Sequence, residues 1–242
     1  MKKRIKIFYH KLIAARNKIR KIFLDRKTSN FFKELIGNGR LVFDIGANTG
    51  VKTKIFNKLG NKVIAVEPQN NLCELLKKEF ASNRDVVIVH NGISDHEGEL
   101  TLNISSRYPG FSSFDAEWQK GTKYESFDRK EKVGMITLDT LIERYGLPYY
   151  CKIDVEGFEK EVIKGLTQKI PLLSFEFHSS DFGPTKECLD LLGKLGYQKF
   201  NYDLCERAQF DDKKWMDKTE LIEKITGGRN EHRELWGDIY CK

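Results

Sequence analysis

The sequence predicts an α/β fold: one mostly parallel sheet with helices packed on both faces. Three observations carry the prediction. Short runs of Val, Ile, Leu and Phe, each too brief for a helix, alternate with stretches of helical period. The first strong run, LVFDI (41–45), ends in a turn with two glycines, GANTG (46–50), as a parallel strand does where it hands over to a helix. With 242 residues, 40% of them apolar, the chain can bury the core of one decorated domain and does not resemble a disordered protein.

The chain opens on charge. Residues 1–27 hold eleven Lys or Arg against one acid, Asp25, whereas the remainder has a net charge of −3. Ile5, Phe8, Leu12, Ala15, Ile19 and Ile22 recur at helical spacing, so residues 1–30 read as a basic amphipathic arm and 31–242 as the domain. Such an arm either caps the domain or lies on an anionic membrane surface or another polyanion. Its longest apolar runs, about four residues, fall far short of the ~20 that span a bilayer. Five scattered cysteines (73, 151, 188, 205 and 241) lack metal-finger spacing and read as reduced thiols, so a cytoplasmic location is expected, with peripheral association at a membrane's inner face through residues 1–27.

Strands are expected at 41–45, 62–66, 86–90, 149–154 and 172–178, with two more at 199–203 and 235–241. Helices are expected at 51–59, 70–80, 138–145, 157–165 and 184–195, the last between Pro184 and Gly196. An inserted hairpin or loop over about 98–135 breaks the rhythm. GELTLNIS (98–105) alternates like a half-exposed strand, and the 27 residues after it contain six aromatics among Gly, Pro and Ser. Loops of that length tend to cover binding sites, which makes Tyr108, Phe111, Phe114 and Trp118 candidates either for acceptor contact or for anchoring the loop.

Ligands of an open parallel sheet bind beyond the carboxyl ends of its strands. A phosphate-binding P-loop is one residue out of register here, at Gly50-Val51-Lys52-Thr53, and a dinucleotide fingerprint would need glycine where Asn48 and Val51 stand. A ligand without phosphates remains. Asp44 suits an ammonium or sulfonium, and Glu67, ending the second strand, can accept both hydroxyls of a ribose. S-adenosylmethionine meets both demands. Asn91, after the third strand, is placed either to read an adenine edge or simply to make an Asn-Gly turn.

The ordered set VFDIGANTG, VIAVEP, NGISDHEGELTL, ITLDTLIERYG and KIDVEGFEKEVIKGL, over about residues 35–180, resembles the FkbM-type methyltransferases. The resemblance implies a class I methyltransferase fold, Rossmann-like with a seven-stranded sheet, and methyl transfer to oxygen, often on sugars or glycosylated products. It implies that Asp44, Gly46, Ala47, Asn48 and Gly50 form the methionine-side loop and that Glu67 holds the ribose.

Methyl transfer to a hydroxyl requires alignment and a base. Two strand ends bring ionisable groups to one edge: Asp154 and Glu156, sharing a side if their strand runs that far, and Glu176 with His178. His178 is the expected base, with Asp154 or Glu156 as alternatives. A second reading gives Asp154, Glu156 and Glu176 to Mg2+. The expected acceptor is a sugar, glycan or glycolipid precursor. An RNA methyltransferase using the arm to track phosphates is the alternative, weakened by the acidic body, and a non-catalytic binding protein with the same fold is a third.

Overall fold

The structure is a computed structural model that describes residues 26–107, 109–116, 127–179, 182–227 and 235–242. The expectations placed on residues 1–25, Tyr108 and Trp118 lie outside the described residues. The chain begins with helix α1 (26–36), followed by β1 (Leu41–Ile45), α2 (Val51–Lys58), β2 (Lys62–Val66), α3 (Asn70–Glu79) and β3 (Val86–Val89). A short β4 (Gly92–Ile93), β5 (Gly98–Ile104) and β6 (Arg129–Ile136) come next, then α4 (Leu138–Tyr145), β7 (Tyr150–Ile153), α5 (Glu159–Lys164) and β8 (Leu172–His178). The chain closes with α6 (Phe182–Lys194), β9 (Phe200–Leu204), α7 (Lys218–Gly227) and β10 (Trp236–Cys241).

Seven strands form one sheet in the order β3-β2-β1-β7-β8-β10-β9, parallel except for β10. This is the class I methyltransferase fold. The strand order reverses between β1 and β7, so a crevice opens beyond the carboxyl ends of those two neighbours. The insertion builds a second sheet, β4-β6-β5, over that end, on a small core of Leu102, Ile104, Val133 and Met135.

Strand alternation sorts the two faces. Phe43, Ile64, Cys151, Leu173 and Cys241 share one register row, wholly apolar, against α4, α5, α6 and α7. The next row, on the opposite face, reads Asp44, Ala65, Lys152, Ser174 and Tyr240. That face is covered by α1, α2 and α3, where Phe32, Phe56 and Tyr150 meet with ring centroids 4.9 to 5.9 Å apart. Phe32 and Ile36 anchor α1 in this core, so the boundary expected at residue 30 falls inside a packed helix. The insertion takes the hairpin form: RKEKVGMI forms β6, antiparallel to β5, because its Val133, Met135 and Ile136 are buried, although its charged first half reads as loop. Helix α7 was not anticipated at all.

Gly46 fixes the junction of β1 and β7. It has φ +81°, and a Cβ there would lie 1.7 Å from the Asp154 carbonyl oxygen. Gly37 has a similar φ of +77° but open space around it. Gly37→Ala should therefore cost only the left-handed penalty of about 1–2 kcal/mol, and Gly46→Ala about 4 kcal/mol or more, in urea denaturation.

Candidate functional site

A cavity lies at the β1/β7 switch, beyond the carboxyl ends of the strands where open parallel sheets bind ligands. Its wall comes from every strand end nearby: Gly46 and Asn48 after β1, Glu67 after β2, Asn91 and Gly92 after β3, and Asp154 to Glu156 after β7. The insertion roofs it with Leu102, Gly110, Ser112 and Phe114. None of the described wall residues is a lysine or arginine, so the donor set fits a ligand without phosphates. Gly92 is closely packed in the wall, since a Cβ there would meet Met135 Sδ at 2.5 Å and Phe114 Cζ at 2.7 Å and both side-chain tips would have to shift.

Glu67 lies at one end. Its Oε2 accepts from Asn48 N at 2.7 Å and its Oε1 from Gln69 N at 2.8 Å, which fixes both oxygens at the cavity wall. Burial pushes its carboxyl up to about 7 despite those two amides. Asn91 also reaches the wall, and its Nδ2 donates to Gly134 O at 2.9 Å, tying β6 to the cavity. Asp44 departs from expectation. It is buried beneath α2, where its Oδ2 accepts from Thr53 Oγ1 at 2.5 Å, and it is not part of the cavity wall; it supports the turn from behind. Ala47 is buried in the core, and Gly50, at φ +76°, caps α2.

Asp154, Glu156 and Glu176 converge at the other end, each offering an oxygen within 4.8 Å of the others. The expected strand alternation does not place Glu156, because β7 stops at Ile153. Glu156 instead takes a left-handed conformation, φ +55°, followed by Gly157 at +91°. Such a backbone persists only when its surroundings hold it. Glu159 Oε1 accepts from Val155 N at 3.1 Å and Gly157 N at 3.4 Å, and Ser113 Oγ of the insertion donates to Glu156 O at 2.6 Å. His178 completes the edge with Nε2 3.6 Å from Glu176 Oε2, outside the cavity wall. Phe114 reaches the cavity and packs on Phe158, 5.5 Å between ring centroids.

The edge is electrostatically strained. Burial raises Glu156 well above the ordinary carboxylate range, with Glu176 and Asp154 adding repulsion, and burial together with Asp154 lifts Glu176 to about 7. Burial also lifts Glu159 to about 8, ahead of repulsion from Glu176. Lys152, buried in the sheet, donates to Asp154 Oδ2 at 2.5 Å. Burial alone would depress this lysine, but Asp154, Asp238, Glu206 and Asp44 together hold it well above its usual value. Lys152, Glu159 and Ser113 were not among the expected site residues. Lys152 carried a signal nonetheless: a lysine between Cys151 and Ile153 in a central parallel strand must have a buried partner.

Glu159 generates a prediction. Its folded value of about 8 exceeds the ordinary value of 4.5, so folding takes up a proton and this group's contribution to stability falls as pH rises between those values. Glu159→Gln keeps an acceptor for Val155 N and Gly157 N without titrating. Thermal melts should give equal stability near pH 5 and a more stable variant near pH 8.5, by a few kcal/mol at about 1.4 kcal/mol per pKa unit.

Comparison with known proteins supplies the family. No curated protein matches the chain. Among solved structures, the methyltransferase FkbM from Methylobacillus flagellatus aligns with TM-score 0.49 and 14% identity, over 84% of this chain and 43% of that one, so this chain spans less than half of that protein. Fibrillarin from Aeropyrum pernix, with natively bound S-adenosyl-L-methionine, aligns with TM-score 0.45 and 10% identity over 85% and 67% of the two chains. The 1,6-didemethyltoxoflavin-N1-methyltransferase from Burkholderia thailandensis, with S-adenosylhomocysteine bound, gives 0.43 and 11% over 97% and 86%. Residues 44–201, well over half of the chain, match the Methyltransferase FkbM domain. The chain therefore belongs to the FkbM methyltransferase family.

Proposed function

We propose that this protein is an S-adenosylmethionine-dependent O-methyltransferase whose acceptor is a neutral, polyhydroxylated molecule such as a sugar or glycolipid precursor. The observation that carries the reading is a cavity whose wall holds Glu67 as well as Asp154 and Glu156, with a Glu176 oxygen within 4.8 Å of theirs. Glu67 would hold the ribose, and Gly46 and Asn48 would line the methionine side. When bound, the cofactor supplies an electrophilic methyl group whose leaving group is a neutral thioether. The chain's own residues then have two tasks, to orient the acceptor hydroxyl and to take its proton.

Carboxylates accept hydrogen bonds from sugar hydroxyls and repel phosphodiesters, which favours a neutral acceptor over RNA. His178, backed by Glu176, takes the proton. Asp154 serves less well as a base, since Lys152 already donates to it. A second reading rests on the spacing of the three carboxylates, whose oxygens suit Mg2+ as a hard cation that would polarise the acceptor. The basic arm, residues 1–27, would bring the domain to an anionic membrane bearing a glycolipid acceptor, each Lys or Arg near the surface contributing about 1 kcal/mol.

Methyl-labelled cofactor incubated with the protein and with separated glycan, glycolipid, RNA and protein fractions tests the reading. Label should enter a glycan or glycolipid fraction; label confined to RNA would overturn it. His178→Ala should slow transfer about 100-fold or more while leaving S-adenosylhomocysteine affinity within about twofold, and a fully active variant would remove His178 as base. If EDTA leaves the rate unchanged, the Mg2+ reading falls.

A further inference from the structure

The strand beside His178 carries an aromatic ring. Because β10 runs antiparallel to β8, it begins at the carboxyl end of the parallel sheet, where the ligand cavity lies. Its first residue, Trp236, is paired in register with His178. Directly opposite residues of antiparallel strands carry their Cβ atoms about 5 Å apart on one face of the sheet. The indole therefore stands next to the imidazole, one row beyond Asp238 and Glu176. Trp236 is 37% exposed, and among the described residues no other exposed large hydrophobic side chain is aromatic. The other three are Val51 at the start of α2, Leu75 on α3 and Leu147 ahead of β7, and scattered aliphatic exposure of that kind requires no explanation. Trp236 differs because its backbone is fixed on both sides. Its carbonyl accepts from Cys205 N at 2.8 Å, while Leu235 N donates to Ser179 Oγ at 2.8 Å and Ser179 N donates to Leu235 O at 2.7 Å. Gly237 lies so close to β9 that a Cβ on it would come within 2.1 Å of the Asp203 carbonyl oxygen. The fold thus holds a wide aromatic surface in a fixed place at the ligand end of the sheet, outside both of the sheet's apolar cores.

We propose that Trp236 is the acceptor platform: its ring stacks on the apolar face of a sugar and so presents one hydroxyl to His178. The inference rests on the sugar acceptor proposed above and deepens it by assigning the residue that binds it. The face of an indole is electron-rich, and the axial C–H groups of a pyranose whose hydroxyls are equatorial carry the complementary partial charge. Stacking leaves those hydroxyls at the rim of the ring, where His178 stands as the cross-strand neighbour. Neither Trp236 nor His178 is among the described residues of the cavity wall, so the cofactor occupies the space between β1 and β7 and the sugar lies over β8 and β10. The two places adjoin. Glu176 is 3.6 Å from His178 and offers an oxygen within 4.8 Å of those of the wall residues Asp154 and Glu156.

The test is transfer of labelled methyl by the full chain to the separated glycan and glycolipid fractions, each diluted in series; the fraction that takes label tells which source supplies the sugar. Trp236→Ala should raise the apparent KM for that fraction about tenfold or more, while S-adenosylhomocysteine affinity, read by calorimetric titration, stays within about twofold. Trp236→Phe, which keeps a ring, should recover most of the loss, and Trp236→Leu, which keeps apolar bulk without a ring, should not. An unchanged KM in Trp236→Ala overturns the proposal. So does a Trp236→Leu variant as active as Trp236→Phe, or a loss of S-adenosylhomocysteine affinity as large as the rise in KM. If the wild type labels neither fraction, the sugar reading itself fails and takes this inference with it.

Discussion

Lys152 places a full positive charge inside the sheet, and much of the site's architecture follows from keeping it paired. Its ammonium binds Asp154, the first residue beyond β7, and its neighbours on the same face include Asp44 and, two strands away, Asp238. Removing one member of such a group leaves a buried charge without its partner, typically at a cost of about 3–5 kcal/mol. The arrangement therefore holds the ends of β1 and β7 in one geometry. Gly46 completes it from the backbone side, because only a residue without Cβ can lie against the Asp154 carbonyl.

That fixed junction allows the strained parts to exist. Glu156 adopts a conformation disfavoured for any residue but glycine, held by Glu159 from below and by Ser113 of the insertion from above. The same insertion roofs the cavity through Ser112 and Phe114. Cavity wall, carboxylate edge and insertion thus meet at one short loop, residues 154–157. Burial holds Glu156 well above the ordinary carboxylate range and lifts Glu176 to about 7, which eases the repulsion between them, and a cation or a set of hydroxyl donors would relieve the same repulsion.

Much of this was legible in the sequence, and the gaps have physical reasons. The apolar runs of β1, β2, β3, β7 and β8 declare a buried parallel sheet because both of its faces are covered. The convergence of Asp154, Glu156, Glu176 and His178 at one edge also follows from strand ends alone, although Glu156 arrives there by a left-handed turn and not by strand alternation. Asp44 was legible as important but not in its role, since its orientation depends on Thr53 nine residues away on α2. A hairpin or loop was legible over 98–135, but the start of β6 was not, because RKEK lies at the exposed end and pairs with β5 where composition resembles loop. Glu159 and Ser113 act through backbone groups of a distant turn, and residue type does not reveal such contacts.

The central claim is that this charged edge is the wall of a nucleoside cofactor site with Glu67 at its ribose end. Hydroxyl donors favour the ionised form of Glu67, whose carboxyl stands at about 7. The most direct test is the affinity for S-adenosylhomocysteine between about pH 5.5 and 8.5, in the wild type and in Glu67→Gln. The account predicts wild-type binding that tightens about tenfold per pH unit up to about pH 7 and then levels, and a weaker variant with a flat profile. Wild-type affinity independent of pH, or a variant that binds as tightly as the wild type, would contradict it.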